Sequence, residues 1–520
     1  MASLENVTPG SSYPGLLKTE NNTGLTGGLQ TVSDGSGNLT PLRISTCFMT
    51  NYGKGGITTN TAFGDNALSA NTTGSGLSAF GYYSLNCNTT AFNNTAFGTS
   101  TLMCNTTGTQ NAGFGFASLC NNSTGQDNTA FGSQSLRDNT TSSYNTAIGS
   151  HVLRASTTGC RNTGIGAQNL RRNTTGCNNS AGGSQAIFCN TTGSNNTALG
   201  TQSLFFNTTA SCNSAVGYRA MYCNTTGINN TAVGTSSLYA NTTGGGHSAF
   251  GNDALKCNST GNENSAFGKG ALFSTTSGSY NTAFGVVALE NNTTGALNNA
   301  VGVSSLRYNI TGSFNNAFGT LALRQNTTGD NNNAFGLSAL QNNISGGHNI
   351  AFGTQSLCAN TTGSNNIAIG TASLTANIVG SDNTAVGRNA LLSNTNSRNS
   401  AFGCDSLRTN SSGGFNTAIG TQSLFSNTTA SCNTAVGYLA GSSNTTGSNN
   451  SVLGSNSQTG NFSCSVILGA CATATGNNQF VVGATGAFNA GSVVVGTISP
   501  THTWTVNING QNYRIPLIPV

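Results

Sequence analysis

Charge is the scarcest commodity of this chain. Asp, Glu, Lys and Arg make up 6% of its 520 residues, where ordinary soluble domains carry about a quarter. The formal net charge of +5 is small for the length, so bulk charge does not imply nucleic acid. No stretch approaches the roughly 18 apolar residues of a membrane span, and membrane insertion is not expected. The opening MASLENVTPGSSYPG lacks a basic start followed by an apolar run, so no secretory signal is read there. Acidic residues number 12 and histidines 4. They are scattered, with no triad, paired carboxylates or phosphate loop, and isolated Gly-x-Gly matches mean nothing among 70 glycines. The chain reads as a non-enzyme, with no catalytic residues and no cofactor.

What is present is a beat. The clearest copy of the unit is NNTAFGTSTLMCNTTGT, Asn93 to Thr109. The glycine closing its T-A-F-G recurs every 17 residues from Gly64 through Gly98 and Gly132 to Gly387. One residue is then dropped, and the beat resumes at Gly403 and runs to Gly454, making 24 registers. A period this long means stacked units, each unable to bury its own apolar face alone. Low hydrophobicity would suit disorder, but here Phe and Leu recur in phase, as a folded solenoid requires. His151, His247 and His348 occupy different repeat positions, and no Asp is fixed in the repeat. Neither a metal column nor a calcium-binding β-roll is expected.

With the marker glycine as zero, position −4 is Asn in 22 of 24 registers, Asn94 and Asn128 among them; Leu77 and His247 are the exceptions. Position +4 is nearly always Leu, as at Leu102 and Leu136, and N-T-T-G spans +7 to +10. T-A-F-G reads as a short strand, with Thr and Phe on one face and Ala and Gly on the other. The expectation is that the Phe face joins the +4 Leu inside the coil. The nearly bare Ala/Gly face would then admit another backbone and favour chains packed around an axis. N-T-T-G reads as a turn, with Gly or Asn free to take positive φ, giving two strands and two turns per coil. Stacked at about 4.8 Å, the Asn columns at −4 and +7 would form amide ladders, and the rod would be on the order of 115 Å long.

Three further columns carry candidate chemistry. Position +5 follows the buried Leu and should point outward. It reads Arg137, Arg154, Arg171, then Phe188, Phe205, Tyr222, Tyr239, then Lys256 and Phe273, with Arg307 and Arg324 farther on. Adjacent like charges repel, so an Arg column is not placed there for stability, and exposed aromatics mark a contact surface. Together they are read as a glycan site, aromatics on sugar faces and arginines on acidic groups; the plainer alternative is that the rings shield the ladder. Among 15 cysteines there is no C-x-x-C zinc pattern. Cys87 and Cys104 share +6 on adjacent coils and Cys160 and Cys177 share +11, within disulfide reach if stacked; reduced thiols as small apolar fillers are the favoured reading. N-T-T and N-S-T triplets fit the N-glycosylation acceptor pattern, though the turn explains their periodicity more simply.

N-T-A-F-G, N-T-A-I-G and N-S-A-V-G resemble the repeats of trimeric autotransporter adhesin heads, the YadA-like left-handed parallel β-roll, over about residues 57 to 500. That resemblance implies an all-β, left-handed parallel β-roll solenoid, homotrimeric, with the small-residue strand near the threefold axis. The repeat of 17 is longer than is usual there, and copies after Gly454 shorten to spacings of 15, 14 and 13. Signal peptide, coiled-coil stalk and barrel anchor are not seen. The segment YPGLLKTENNTGLTGGLQTVSDGSGNLTPLRIST, and the ending VNINGQNYRIPL, resemble end segments of phage and large-virus fibre proteins.

The expected organisation is an attachment arm over 1–56, a 17-residue repeat rod over 57–454, shorter repeats over 455–500, and a hairpin over 501–520 turning at Asn509-Gly510 and capping the stack. The expected role is a virion fibre, of tail or capsid, assembled in host cytoplasm and displayed on the virion surface. Its partners would be two further copies of itself, a virion protein at the arm and a host-surface glycan or receptor. The alternatives are a bacterial surface adhesin or filament subunit and, from the Thr columns at +8 and +9, an ice-binding protein.

Overall fold

The computed structural model describes residues 56–483 in full and, outside them, the backbone of five strands. The described chain is all-β, a parallel β-solenoid of about 25 turns. It divides into two compact units, residues 1–398 and 399–520.

In the first unit, one short strand per coil recurs from Thr61–Phe63 to Thr384–Val386. Each pairs in parallel with the strands 17 residues away, as in Thr61↔Ser78, Thr129↔Thr146 and Thr231↔Ser248. In the second unit the ladder runs from Ser400–Phe402 to Phe480–Val482. Its last steps are shorter, Ser451 pairing with Val466 and Val466 with Phe480. The expected second strand is not formed in the 17-residue coils, whose remaining residues are turns and bends. Hydrogen bonding still runs coil to coil there, as in Leu102 N to Ser118 O at 3.0 Å, Cys104 N to Cys120 O at 2.9 Å and Thr106 N to Ser123 O at 3.0 Å. Turn geometry therefore does not leave backbone groups orphaned.

The strand faces are the reverse of the expectation. In Thr95–Phe97 the middle Ala96 is buried while Phe97 is 49% exposed. The same holds at Phe63, Phe131, Ile165, Leu199 and Phe284. Volume explains it. A typical coil already places two Asn side chains, the +4 Leu and a small +3 residue inside, as with Asn94, Thr101, Leu102 and Asn105, all fully buried. A methyl at −2 completes the space, and a ring does not fit. The −2 and +3 sites are matched in size. Where −2 is Gly113, an added Cβ would lie 2.6 Å from Thr101 Cγ2. Where it is Gly164, the Cβ would meet Val152 Cγ1. Those two glycines face +3 residues bulkier than the usual Ala or Ser.

The bare face does admit a backbone, but it is the next coil of the same chain. Gly98 has φ +133°, and a Cβ there would lie 2.6 Å from Gly115 O. The second glycine column, at +10, is a matter of space alone. A Cβ on Gly108 would sit 2.6 Å from Asn105 Oδ1, and its φ is not positive. The positive φ expected in that turn falls elsewhere, at +2, +4 and +12: Ser100 has φ 56°, Leu102 has φ 51° and Gln110 has φ 60°. The left-handed conformation costs a non-glycine residue about 1–2 kcal/mol. Full burial of a Leu side chain returns about 1.5–3 kcal/mol, so the turn that aims Leu inward is sustained.

The asparagines hydrogen-bond along the stack. At +7, Asn105 Nδ2 donates to Asn88 Oδ1 at 3.1 Å and to Gly108 O at 2.9 Å, and Asn122 Nδ2 donates to Asn105 Oδ1 at 2.7 Å. At −4, Asn94 Nδ2 donates to Gly108 O at 2.8 Å and Asn94 Oδ1 accepts from Asn111 N at 2.8 Å. The acceptor Asn of the N-T-T triplets, as at Asn105 and Asn173, is fully buried, which closes it to glycosylation once folded. Outside the fully described residues, Lys18–Thr19, Gln30–Ser33 and Leu39–Ile44 form a three-stranded antiparallel sheet. His502–Ile508 pairs with Gln511–Leu517 across the Asn509-Gly510 turn. Thr503 pairs with Pro516, so that proline lies within the hairpin and does not end it. The segment between this hairpin and residue 483 lies outside the described residues, as does Gly496.

Candidate functional site

The +5 column stands on the outer side of the turn that buries Leu. A left-handed +4 residue with its side chain inside sends the next side chain outward, and +6 follows beside it. In the first unit the column divides into a guanidinium segment and an aromatic segment.

In the aromatic segment the rings are stacked on one another. Phe188 and Phe205 have centroids 5.1 Å apart with planes at 1°. Phe205 to Tyr222 is 5.3 Å at 19°, and Tyr222 to Tyr239 is 5.3 Å at 7°. Their faces are turned along the stack, so solvent meets mainly their edges. Phe206, at +6, packs edge-on against both Phe205 and Tyr222, at 4.8 and 5.1 Å. Cations cover further faces: Arg219 lies 5.3 Å from the Tyr222 centroid and Lys256 lies 5.3 Å from that of Phe273. A sugar laid flat on these rings would have to displace those contacts.

The guanidinium segment is different. Arg137 is held by its neighbour, Nε to Asp138 Oδ1 at 2.8 Å, and Asn121 Nδ2 donates to the same oxygen at 3.1 Å. Arg171 and Arg172 both lie on Phe188, at 5.7 and 5.5 Å. Arg154 Nε is buried with no hydrogen-bond partner. Asp138, Arg154, Ala155, Arg171 and Arg172 line a cleft of about 240 Å³. Among the described residues no carboxylate forms an ion pair with Arg154, Arg171 or Arg172. His151 registers the resulting field. Partial burial holds its pKa below the ordinary value, and the charges of Arg154, Arg171 and Arg137 add to the effect.

Farther along, Arg307 is satisfied within the chain, whereas Arg324 Nε, like Arg154 Nε, is buried with no hydrogen-bond partner. Arg307 Nε pairs with Glu290 Oε2 at 2.6 Å, and Arg307 and Arg324 flank the Tyr308 ring at 5.3 and 5.4 Å. Reading +5 alone missed Arg172, Asp138 and Tyr308, all at +6. The signal was present in the doublets Arg171-Arg172, Arg137-Asp138 and Arg307-Tyr308.

The cysteines of the two stacked pairs are free thiols, with Cys160 Sγ and Cys177 Sγ 2.9 Å apart. Burial pushes the Cys104 thiol pKa up, with Cys87 adding to it, which keeps that thiol protonated and unreactive.

A second surface is longer. The −1 side chains form an exposed apolar stripe beside the Thr/Ser column. Phe80–Phe97 centroids are 4.6 Å apart, Phe250–Phe267 4.9 Å and Phe335–Phe352 4.4 Å. Ile, Val and Leu continue it at Ile148, Ile165, Leu199 and Val216. Comparison of the chain with protein-family models, with curated proteins and with solved structures finds no match.

Proposed function

We propose that the chain is one of three identical strands of a virion fibre that attaches to a host surface. The observation that carries this reading is the exposed −1 stripe. In the first unit 12 of the 20 coils hold an exposed Phe, Ile, Val or Leu at −1, and most of the others hold a partly exposed one, leaving roughly 50–120 Å² of apolar area at each exposed site. Over the first unit that sums to on the order of 1,000 Å² on one chain, so two such faces pressed together bury on the order of 2,000 Å², the scale of an obligate interface. Isolated exposed apolar residues need no explanation, but a contiguous band of this size does. A partner covering a band that repeats once per coil needs the same repeat, and another copy of this chain has it. In this arrangement the Phe column, not the Ala/Gly column, faces the axis.

The virion setting draws on the resemblance of both end segments to fibre proteins. A bacterial surface adhesin or filament subunit uses the same stripe in the same way. Ice binding is less well supported, because the +8 hydroxyls are already engaged: Thr106 Oγ1 donates to Ser123 O at 3.0 Å and Thr174 Oγ1 to Thr191 O at 2.9 Å. Only the +9 column remains, too narrow for a flat hydroxyl array.

Native mass spectrometry tests the association. Three chains per particle are expected, and Phe97→Asp with Phe131→Asp and Phe284→Asp should shift the population toward single chains. A wild-type monomer at micromolar concentration overturns the reading.

A further inference from the structure

We infer that the cleft of Arg154, Arg171 and Arg172 is a binding site for the oxyanion groups, sulfate or carboxylate, of an acidic polysaccharide. Three facts converge on it. Arg154 lines the cleft, and no described residue accepts a hydrogen bond from its buried Nε, so its charge is not answered within the chain. The cleft of about 240 Å³ has room for an anionic group. Its three guanidiniums have no ion-pair partner among the described residues, since the one carboxylate in the wall, Asp138, is engaged by Arg137 and Asn121. Planar guanidiniums present paired donors that match carboxylate and sulfate oxygens. Phe188 beneath Arg171 and Arg172 holds both in place.

The surroundings favour a sugar chain over a nucleic acid. Single-stranded nucleic acid is held by open aromatic faces along a basic groove. Here the faces of Phe188, Phe205 and Tyr222 are covered by one another and by arginines. The cationic patch is also short, ending where the column turns aromatic. A ligand that brings charge at discrete points, with hydroxyls between, suits it better. This inference rests on the adhesive-fibre reading only for the source of the polysaccharide; the oxyanion site stands on the cleft itself.

The test is fluorescence anisotropy on the full chain with four labelled probes: a heparin-derived hexasaccharide, an oligosialic acid, an uncharged dextran oligosaccharide and a single-stranded DNA of equal charge. Arg154→Gln, Arg172→Gln and the pair Arg171→Gln/Arg172→Gln are compared with Arg161→Gln, an exposed arginine lying outside the cleft, on Tyr144. Binding of one or both acidic oligosaccharides is expected, weakened at least tenfold by Arg154→Gln and by the double variant, and changed less than twofold by Arg161→Gln. Binding of the heparin fragment alone assigns sulfate, and binding of the oligosialic acid shows that carboxylate suffices. No binding of either, or equal losses for Arg161→Gln, overturns the site. Equal binding of the DNA, lost in the same variants, overturns the polysaccharide assignment. Arg172 is exposed, so Arg172→Gln keeps the test valid if Arg154→Gln fails to fold. Light scattering on the same samples separates the two proposals: a monomer that still binds keeps the site and removes the fibre, and a trimer that does not bind does the reverse.

Discussion

Thr275 interrupts the +7 asparagine column, and Thr275→Asn should stabilise the coils around it. In neighbouring registers each +7 amide donates to the previous coil and to its own +10 carbonyl, as Asn241 Nδ2 does to Asn224 Oδ1 at 2.8 Å and Gly244 O at 2.8 Å. At 275 that chain stops. Asn258 Oδ1 and Thr275 Oγ1 are both buried without a partner. Thr275 is itself fully buried, between Asn258 and Asn292 in the same column. An orphaned buried polar atom costs about 1–3 kcal/mol, and each hydrogen bond made contributes about 1 kcal/mol. An asparagine at 275 would donate to Asn258 Oδ1 and Gly278 O and offer its own oxygen to Asn292. Allowing for side-chain ordering, a gain of about 2 kcal/mol is expected. The same backbone holds Asn one coil on either side, so space is not limiting. Solenoids open coil by coil, so the assay is native-state hydrogen exchange of the amides between residues 258 and 292. Slower exchange by at least tenfold is expected there, with little change near residue 100. Unchanged or faster exchange in a properly folded variant would refute the claim that the amide column stabilises the stack. The reverse substitution, Asn326→Thr, should cost a similar amount locally, since Asn326 Nδ2 donates to Asn309 Oδ1 and Gly329 O.

Gly164→Ala should destabilise by about 1–3 kcal/mol through overpacking against Val152, and Val152→Ala should rescue it. A thermal-unfolding double-mutant cycle with no coupling would contradict the packing described. Ile187 is the one β-branched residue of the +4 column, held at φ 50°, so Ile187→Leu should stabilise by about 1 kcal/mol; chemical denaturation followed locally by hydrogen exchange checks it. His247 replaces a −4 Asn in the core, and burial lowers its pKa from 6.5 to about 4. The unfolded chain therefore binds more protons between those values. The coils near His247 should keep full stability above pH 6.5 and lose about 3 kcal/mol as the pH falls to 4. His247→Asn should flatten that slope, as read by exchange at several pH values.

Much of this was legible before the structure, for stated reasons. The period gave the coil, because only a repeating contact demands a repeating residue. The two Asn columns gave the amide ladders, since a polar residue kept in every coil needs a repeating partner. Alternation showed that Thr travels with Phe and Ala with Gly, but alternation is silent on which pair faces in. The usual rule that large apolar residues are buried gave the wrong answer at Phe97 and Ala96. The corrective lay in volume: with Asn94, Leu102 and Asn105 inside, no room for a ring was left. The left-handed φ of Leu102 had no signal at all, because Leu has no preference for it. Arg172 and Asp138 were overlooked because a column was followed one position at a time, while side chains at +5 and +6 share a surface. The size matching of Gly113 with Thr101 was written in the sequence, at a separation of 12 residues, and becomes readable only once the coil is drawn.

The marker glycines fix how such a chain can grow. Each coil meets the next through an atom that a side chain would occupy, so coils share one fitting surface wherever the −2 residue matches its +3 neighbour in size. Adding or removing whole units leaves each column intact, and each added unit moves the far end by about 4.8 Å. A change of another length inside the 17-residue run would shift the Asn, Gly and Leu columns out of line at once. The 16-residue coil between Gly387 and Gly403 shows one way round this, because Asn396 O stands in for the missing +10 glycine carbonyl, accepting from Asn383 and Asn394. Length in this chain is therefore a counted quantity, set by the number of copies in the gene and adjustable in discrete steps by recombination between them.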